Sequence, residues 1–298
     1  MKKEDLQGIF VPHVTPFTRD GDLNLEALRR CVEFWIDGGV SGLVTCGSNG
    51  EAPYLSREER RKVIETVLDE VNDRVPVIAG TGGMSTRETI QLTKDAEDLG
   101  VGAAMVVTPF YFRYSDEEIY QHYKAVAEAT DLPILLYNVP KFTGFSLKPS
   151  VVEKLVLECD NVIGIKDSSG SIAQITEIIR LVGDKISVLA GTADVVLPTL
   201  MLGGKGAVIA VANIAPKLCS DLYREFKAKN YEKASKLQMT VSLLNEFVVR
   251  KHNQLAAIKH ALNVQAIPAG YPRRPTLELR KEEMREVEES LRKVGLIR

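Results

Sequence analysis

One short stretch of the chain pairs side chains whose types can do covalent chemistry. The segment Val162-Ile163-Gly164-Ile165-Lys166-Asp167-Ser168 is an apolar run with a lysine set near its end. In an extended strand, Ile163 and Ile165 share one face and Gly164 and Lys166 the other. A lysine is rarely buried without a partner. Desolvation favours its neutral amine, which is a nucleophile towards carbonyl carbon. The alternatives are an amine that reaches solvent along its stem or one that pairs with Asp167 or another acid. A second segment, Ile134-Leu135-Leu136-Tyr137-Asn138-Val139-Pro140, carries Tyr137 at the same point of its run. A phenol beside an amine can move protons as an imine forms and breaks. Read alone, Tyr137 can equally be a core tyrosine whose hydroxyl finds a backbone partner.

Other segments offer weaker chemistry. Thr45-Cys46-Gly47-Ser48-Asn49-Gly50-Glu51 is a turn with glycines around small polar residues. Its backbone N–H groups suit a carboxylate, and Ser48 can relay a proton. It is not a phosphate-binding P-loop, because no Gly-Lys-Ser/Thr follows. Thr108-Pro109-Phe110-Tyr111-Phe112 is an aromatic cluster that lines a pocket, meets another subunit or simply packs. The segments Ala190-Gly191-Thr192-Ala193-Asp194 and Val211-Ala212-Asn213-Ile214-Ala215-Pro216 are too poor in glycine to cradle a phosphate. No Gly-x-Gly-x-x-Gly lies between a strand and a helix, so no nicotinamide cofactor is expected.

These segments need a frame, and the hydrophobic pattern supplies one. Apolar runs at Gly8–Phe17, Gly42–Gly47, Val75–Gly82, Gly102–Phe110, Pro133–Pro140, Val162–Ser169, Ile186–Ala193 and Gly206–Ala215 recur about every 28 residues. That is the length of a strand–helix unit with short loops. The runs are continuous rather than alternating, as expected of parallel strands covered on both faces. Between them lie amphipathic stripes such as Leu25, Leu28, Val32, Trp35 and Ile36. Capping boxes are expected at Ser56/Glu59, Ser85/Glu88, Ser115/Glu118 and Ser171/Gln174, and helix ends at Gly38-Gly39, Gly100, Gly183 and Gly203-Gly204. Eight consecutive units predict a closed (β/α)8 barrel over residues 1–230. Residues 231–298 are expected to be a helical extension packed on the barrel, with helices at Tyr231–Lys251, Gln254–Gln265 and Lys281–Val294. Active sites of such barrels lie at the C-terminal ends of the strands, where all the segments above fall.

Composition narrows the function. The chain has 298 residues, 38 basic against 40 acidic, so a nucleic-acid partner is not expected. No apolar run reaches the ~18–20 residues of a membrane span, and the opening MKKEDLQGIF lacks the apolar core of a signal peptide. The four cysteines, Cys31, Cys46, Cys159 and Cys219, form no C-x-x-C pair, and the four histidines do not cluster. These features point to buried thiols in the cytoplasm and to no metal site.

The ordered set Gly8–Phe17, Gly47-Ser48-Asn49-Gly50-Glu51, Thr108-Pro109-Phe110-Tyr111, Tyr137-Asn138-Val139-Pro140, Gly164-Ile165-Lys166-Asp167 and Ile258-Lys259-His260-Ala261-Leu262 resembles the dihydrodipicolinate synthase / N-acetylneuraminate lyase family of class I aldolases. The resemblance covers nearly the whole chain. It implies a covalent imine between Lys166 and pyruvate or a similar 2-oxo acid, with no separate cofactor. It implies Tyr137 as general acid/base, and Ser48 and Asn49 N–H groups on the keto-acid carboxylate. Gly191 and Val208 would line the site. Tyr111 would reach into a neighbouring subunit and complete a proton relay with Tyr137 and Ser48, in a homotetramer built as a dimer of dimers.

Two departures bear on the substrate. Synthases of the family carry Thr-Thr where this chain has Ser48-Asn49, so the relay can differ. They also carry an arginine at the position of Phe142, where it pairs with the acceptor's carboxylate. A phenylalanine cannot make that bidentate pair, a loss of about 1.5–3 kcal/mol unless Lys141 or Arg113 substitutes. The expected activity is therefore a metal-independent lyase joining or splitting a bond between pyruvate and an aldehyde. Lysine-biosynthetic 4-hydroxy-tetrahydrodipicolinate synthase and 4-hydroxy-2-oxoglutarate or 2-keto-3-deoxy sugar-acid aldolase are the narrower alternatives. A catalytically silent barrel that binds 2-oxo acids is the alternative from another class.

Overall fold

The computed structural model describes residues 1–298. Eight parallel strands pair in chain order, β1 (Gly8–Pro12), β2 (Gly42–Thr45), β3 (Val77–Gly80), β4 (Ala103–Val107), β5 (Ile134–Asn138), β6 (Val162–Asp167), β7 (Ser187–Ala190) and β8 (Gly206–Val208). β8 pairs with β1, so the barrel is closed and no strand edge is exposed. The chain folds as the (β/α)8 barrel that its periodicity predicts. Each strand is shorter than its apolar run. The surplus residues continue into the loops at the C-terminal mouth; after β8, for example, a 3-10 turn forms at Ala210–Asn213. Those residues are apolar because they are buried there, as with Val211 and Ala212, and not because they pair.

Strand alternation sorts the side chains into two layers. Ile9 and Val11 join the large cluster between barrel and helices, while Phe10 points into the barrel. The inner cluster also holds Leu6, Val44, Ile78, Met105, Leu135, Tyr137, Leu189 and Val208. Leu6, from the N-terminal segment, fits only because residue 164 is glycine. A Cβ there would lie 2.5 Å from a Leu6 methyl and 2.8 Å from one of Leu135.

Three local expectations fail, each for a physical reason. Ile163 does not share a face with Ile165. Ile134 pairs with Val162 and Leu135 with Gly164, so Ile163 is an extra residue in β6 and leans on the inner cluster. The capping boxes at Ser56/Glu59 and Ser115/Glu118 form. At Ser85 and Ser171 only the serine half forms, because Glu88 accepts from Met84 N–H and Gln174 is drawn to Asp167. Gly38 and Gly183 close their helices in right-handed geometry; the left-handed residue after the first is Gly39.

The last expected helices are also modified. The first runs over Tyr231–Asn245 and then widens into a π-helical turn at Glu246–Arg250, rather than continuing to Lys251 as an α-helix. Two more helices follow at Gln254–Val264 and Lys281–Lys293. No helix is long and apolar enough to cross a membrane.

Candidate active site

The register of β5 on β6 sets Tyr137 directly opposite Lys166. Both side chains point into the mouth of the barrel and both are 4% exposed. Lys166 Nζ lies 4.0 Å from the centre of the Tyr137 ring. Burial of a phenol raises its pKa, but here the adjacent Lys166 charge and hydrogen bonding to Ser48, Ser168 and Lys166 outweigh it. The Tyr137 hydroxyl is held below the ordinary phenol range.

Lys166 has no carboxylate partner. The nearest acid in sequence, Asp167, points to the other side of the sheet. Its carboxylate accepts from Asn138 Nδ2 at 2.8 Å, Gln174 Nε2 at 2.7 Å and Ser169 N–H at 2.9 Å. The alternative in which Lys166 and Asp167 form an ion pair is therefore not what the chain adopts. Asp167 is consumed in anchoring the end of β6, and the lysine on the opposite face is left free.

Above this pair is a cavity of about 80 Å³. Ser48, Asn49, Tyr137, Phe142, Lys166, Gly191 and Val208 line it, so seven of the eight candidate residues converge from β2, β5, β6, β7 and β8. Ser48 Oγ is 3.5 Å from the Tyr137 hydroxyl. The backbone N–H groups of Ser48 and Asn49 donate to nothing within the chain. The turn that presents them is held open by left-handed conformations at Cys46 and Glu51. Asn49 braces it, donating to Pro12 O at 3.0 Å and accepting from Gln254 Nε2. Gly191 is required by close approach: a Cβ there would fall 2.1 Å from Ser168 Oγ and 2.8 Å from the Asp167 backbone.

The eighth candidate, Tyr111, is elsewhere. It is 85% exposed, stands edge-on to Phe112 and lines neither this cavity nor the groove beside it. Its φ of +86° is a strained conformation for a residue with a side chain.

Sequence reasoning missed part of the wall. Asn245, Val249 and Gln254 come from the C-terminal helices; Lys141, named from sequence only as a stand-in for the missing arginine, comes from the short helix Pro140–Thr143. The π-helical turn carries Val249 to the cavity, and no linear periodicity announces it. The sequence also hid a second buried lysine. Lys259 Nζ meets Glu51 Oε1 at 2.5 Å, off the line of a hydrogen bond, with both side chains at most 1% exposed. Lys259 also donates to Tyr271 O at 2.7 Å. Desolvation lowers its pKa to about 8, against the pull of Glu51. This pair locks the end of the Ser48–Asn49 turn to the C-terminal helices.

No group of three or more His, Cys, Asp or Glu side chains is arranged to hold a metal. A closed parallel barrel whose mouth holds an acid-free lysine beside a phenol defines a class: enzymes built to condense an amine with a ketone.

Comparison with known proteins agrees. Residues 5–294 match the model of the dihydrodipicolinate synthetase family. The 4-hydroxy-tetrahydrodipicolinate synthase of Methanothrix thermoacetophila is 40% identical over 290 residues, covering 97% of each chain. That of Citrifermentans bemidjiense is 46% identical over 233 residues, covering 78% of this chain and 80% of the relative. Among solved structures, the dihydrodipicolinate synthase of Thermotoga maritima superposes with a TM-score of 0.94 at 33% identity, over 98% of this chain and 99% of the other. The Escherichia coli prophage protein YagE, solved with pyruvate, superposes with a TM-score of 0.94 at 32% identity, over the same shares. The chain belongs to the dihydrodipicolinate synthetase family, and so to the pyruvate-dependent class I carbon–carbon lyases.

Proposed function

We propose that this chain makes or breaks a carbon–carbon bond between pyruvate and an aldehyde through an imine on Lys166, without metal or separate cofactor. One observation carries the reading: a buried amine with no carboxylate partner, 4.0 Å from the ring of Tyr137. The amine attacks C2 of the 2-oxo acid. The carbinolamine loses water as Tyr137 protonates the leaving hydroxyl, giving the imine. The protonated imine draws electrons from C3, which loses a proton to become an enamine. C3 then attacks the aldehyde carbon, and the aldehyde oxygen takes up a proton. Water hydrolyses the new imine and frees Lys166. Cleavage runs these steps backwards.

The free N–H groups of Ser48 and Asn49 suit the 2-oxo acid's carboxylate, and a cavity of about 80 Å³ suits a molecule of pyruvate's size. The lowered pKa of Tyr137 fits a group that takes and returns protons, with Ser48 Oγ in reach as a relay. Tyr111 completes that relay in a second copy; its strain, its exposure and its distance from its own chain's site support an exchanged role. Such an exchange requires at least a dimer, in a dimer of dimers. Residues 1–230 form the catalytic barrel, and 231–298 an extension that closes one wall of its site. Four buried thiols with no disulfide suit the reducing cytoplasm.

For the acceptor, the names of the relatives favour the 4-hydroxy-tetrahydrodipicolinate synthase reaction, with aspartate semialdehyde. Phe142, half-exposed on the wall of the cavity, favours hydroxy-oxoglutarate or sugar-acid cleavage as the second reading. Borohydride with pyruvate should fix a reduced adduct on the Lys166 peptide, visible by mass spectrometry. An unmodified peptide would refute the imine. An aldehyde panel with product detection then separates the two acceptors.

A further inference from the structure

The cavity above Lys166 is lined by two lysines and by no aspartate or glutamate. One lysine is the imine-forming Lys166. The other is Lys141, at the lip where the small cavity opens into a neighbouring groove of about 1100 Å³. Most lysines around the fold that make close polar contacts meet an acid, as Lys124 meets Glu158 and Lys148 meets Asp116. Lys141 does not. Its Nζ donates only to neutral oxygens, Val249 O at 3.3 Å and Gln254 Oε1 at 3.4 Å, both near the long limit of a hydrogen bond. It also lies 5.4 Å from the centre of the Phe142 ring. Lys141 is exposed at this lip, yet partial desolvation pulls its pKa below the ordinary lysine value, with only the Tyr137 phenol opposing.

Of the other cations near the mouth, Arg87 has no acid partner but lines only the neighbouring groove and not the cavity above Lys166, and the rest are occupied or absent. Arg57 is engaged by Asp95, Arg60 by the carbonyls of Gly80 and Ala52, and Lys259 by Glu51. Arg113 lines neither cavity. A positive site with unpaired N–H groups at one end and an acid-free ammonium at the other matches a ligand with two negative groups. The N–H groups of Ser48 and Asn49 account for the carboxylate of the 2-oxo acid.

We propose that Lys141 is the specificity-determining residue for the acceptor, selecting aldehydes that carry a carboxylate. This rests on the imine reading of Lys166. Lys141 would give up two long neutral contacts for one charge-assisted one, while Phe142 supplies an apolar wall for the acceptor's carbon chain. Gln254, which contacts both Lys141 and Asn49, would hold the two anion-binding ends in register.

The test compares succinic semialdehyde with butanal, matched in length but differing in the carboxylate. With pyruvate in excess, Lys141→Met should raise KM for succinic semialdehyde about tenfold or more, with a smaller change in kcat. The KM for butanal should stay within about twofold, and Lys141→Arg should keep most of the preference for the acid. Calorimetric titration of the pyruvate-loaded enzyme with butyrate, an unreactive carboxylate, should show binding in the wild type and its loss in Lys141→Met. Equal shifts for both aldehydes, no shift for either, or no butyrate binding to the loaded wild type would overturn the proposal. Failure of the wild type to form a borohydride-trapped pyruvate adduct would instead count against the imine itself.

Discussion

Two lysines are buried in this molecule, and the chain treats them in opposite ways. Lys259 lies in a helix, against a glutamate, a backbone carbonyl and the ring of Phe17 at 4.4 Å from its centre. Lys166 lies in a strand, against a phenol ring and no acid. Pairing spends the reactivity of the first: its amine is committed to Glu51 and so to holding the Ser48–Asn49 turn in place. Leaving the second without a carboxylate leaves its nitrogen uncommitted, as the proposed imine requires. A buried amine is therefore structural or chemical according to whether a carboxylate is delivered to it. Asp167, adjacent in sequence to Lys166, is withheld by strand alternation and by four hydrogen-bond donors from Asn138, Gln174 and Ser169.

The contrast can be broken at either lysine. Lys166→Ala should abolish turnover and pyruvate trapping while leaving the melting temperature near that of the wild type; retained turnover would end the chemical reading. Lys259→Met should do the reverse in kind. It leaves Glu51 buried and unpaired, at about 3–5 kcal/mol, measured by denaturant unfolding. Adding Glu51→Gln to that variant should recover much of the loss. If the single variant is as stable as the wild type, the pair is not the brace described.

A third burial, with no counter-charge at all, sharpens the point. His13 is fully buried against Trp35, and desolvation lowers its pKa to about 4. Desolvation does the same to His122. Each folded-state pKa lies below the unfolded value near 6.5, so the unfolded chain binds more protons between the two. Their stability is fully present above about pH 6.5 and is lost as pH falls towards 4, on the order of 3 kcal/mol for His13. Unfolding titrations from pH 7 to 4, wild type against His13→Gln, should show a shallower loss in the variant.

Smaller effects test the neighbours of Lys166. Tyr137→Phe should slow imine formation about 10²-fold or more, and near-normal rates in stopped-flow trapping would remove its acid/base role. Phe142→Arg adds a second cation beside Lys141 and should raise kcat/KM for aspartate semialdehyde up to about tenfold; no change would mean that the acceptor does not reach this position.

Much of the frame is legible in the residue pattern. Eight strand–helix periods, near-continuous apolar strands and a lysine late in the sixth of them lead to a closed barrel and to Lys166. Tyr137 follows because the same spacing puts it on the adjacent strand. The wall formed by Lys141, Asn245, Val249 and Gln254 is not legible in this way. Lys141 is more than a hundred positions from the other three, and they meet through a π-helical turn that replaces an expected stretch of α-helix. The Lys259–Glu51 pair is hidden for the same reason: each residue reads alone as an ordinary surface charge.

Periodicity is a local property, so the order of residues alone determined the strands, the helices, their parallel closure and the place of the most conspicuous amine. Which charges meet is a global property. Only the folded chain decided that Asp167 meets Asn138 and Gln174, that Glu51 reaches Lys259 and that Lys141 meets no acid. Those outcomes depend on a bulge in one strand, the direction of a loop and the docking of distant helices, and burial then turns each of them into an energy large enough to separate a brace from a nucleophile.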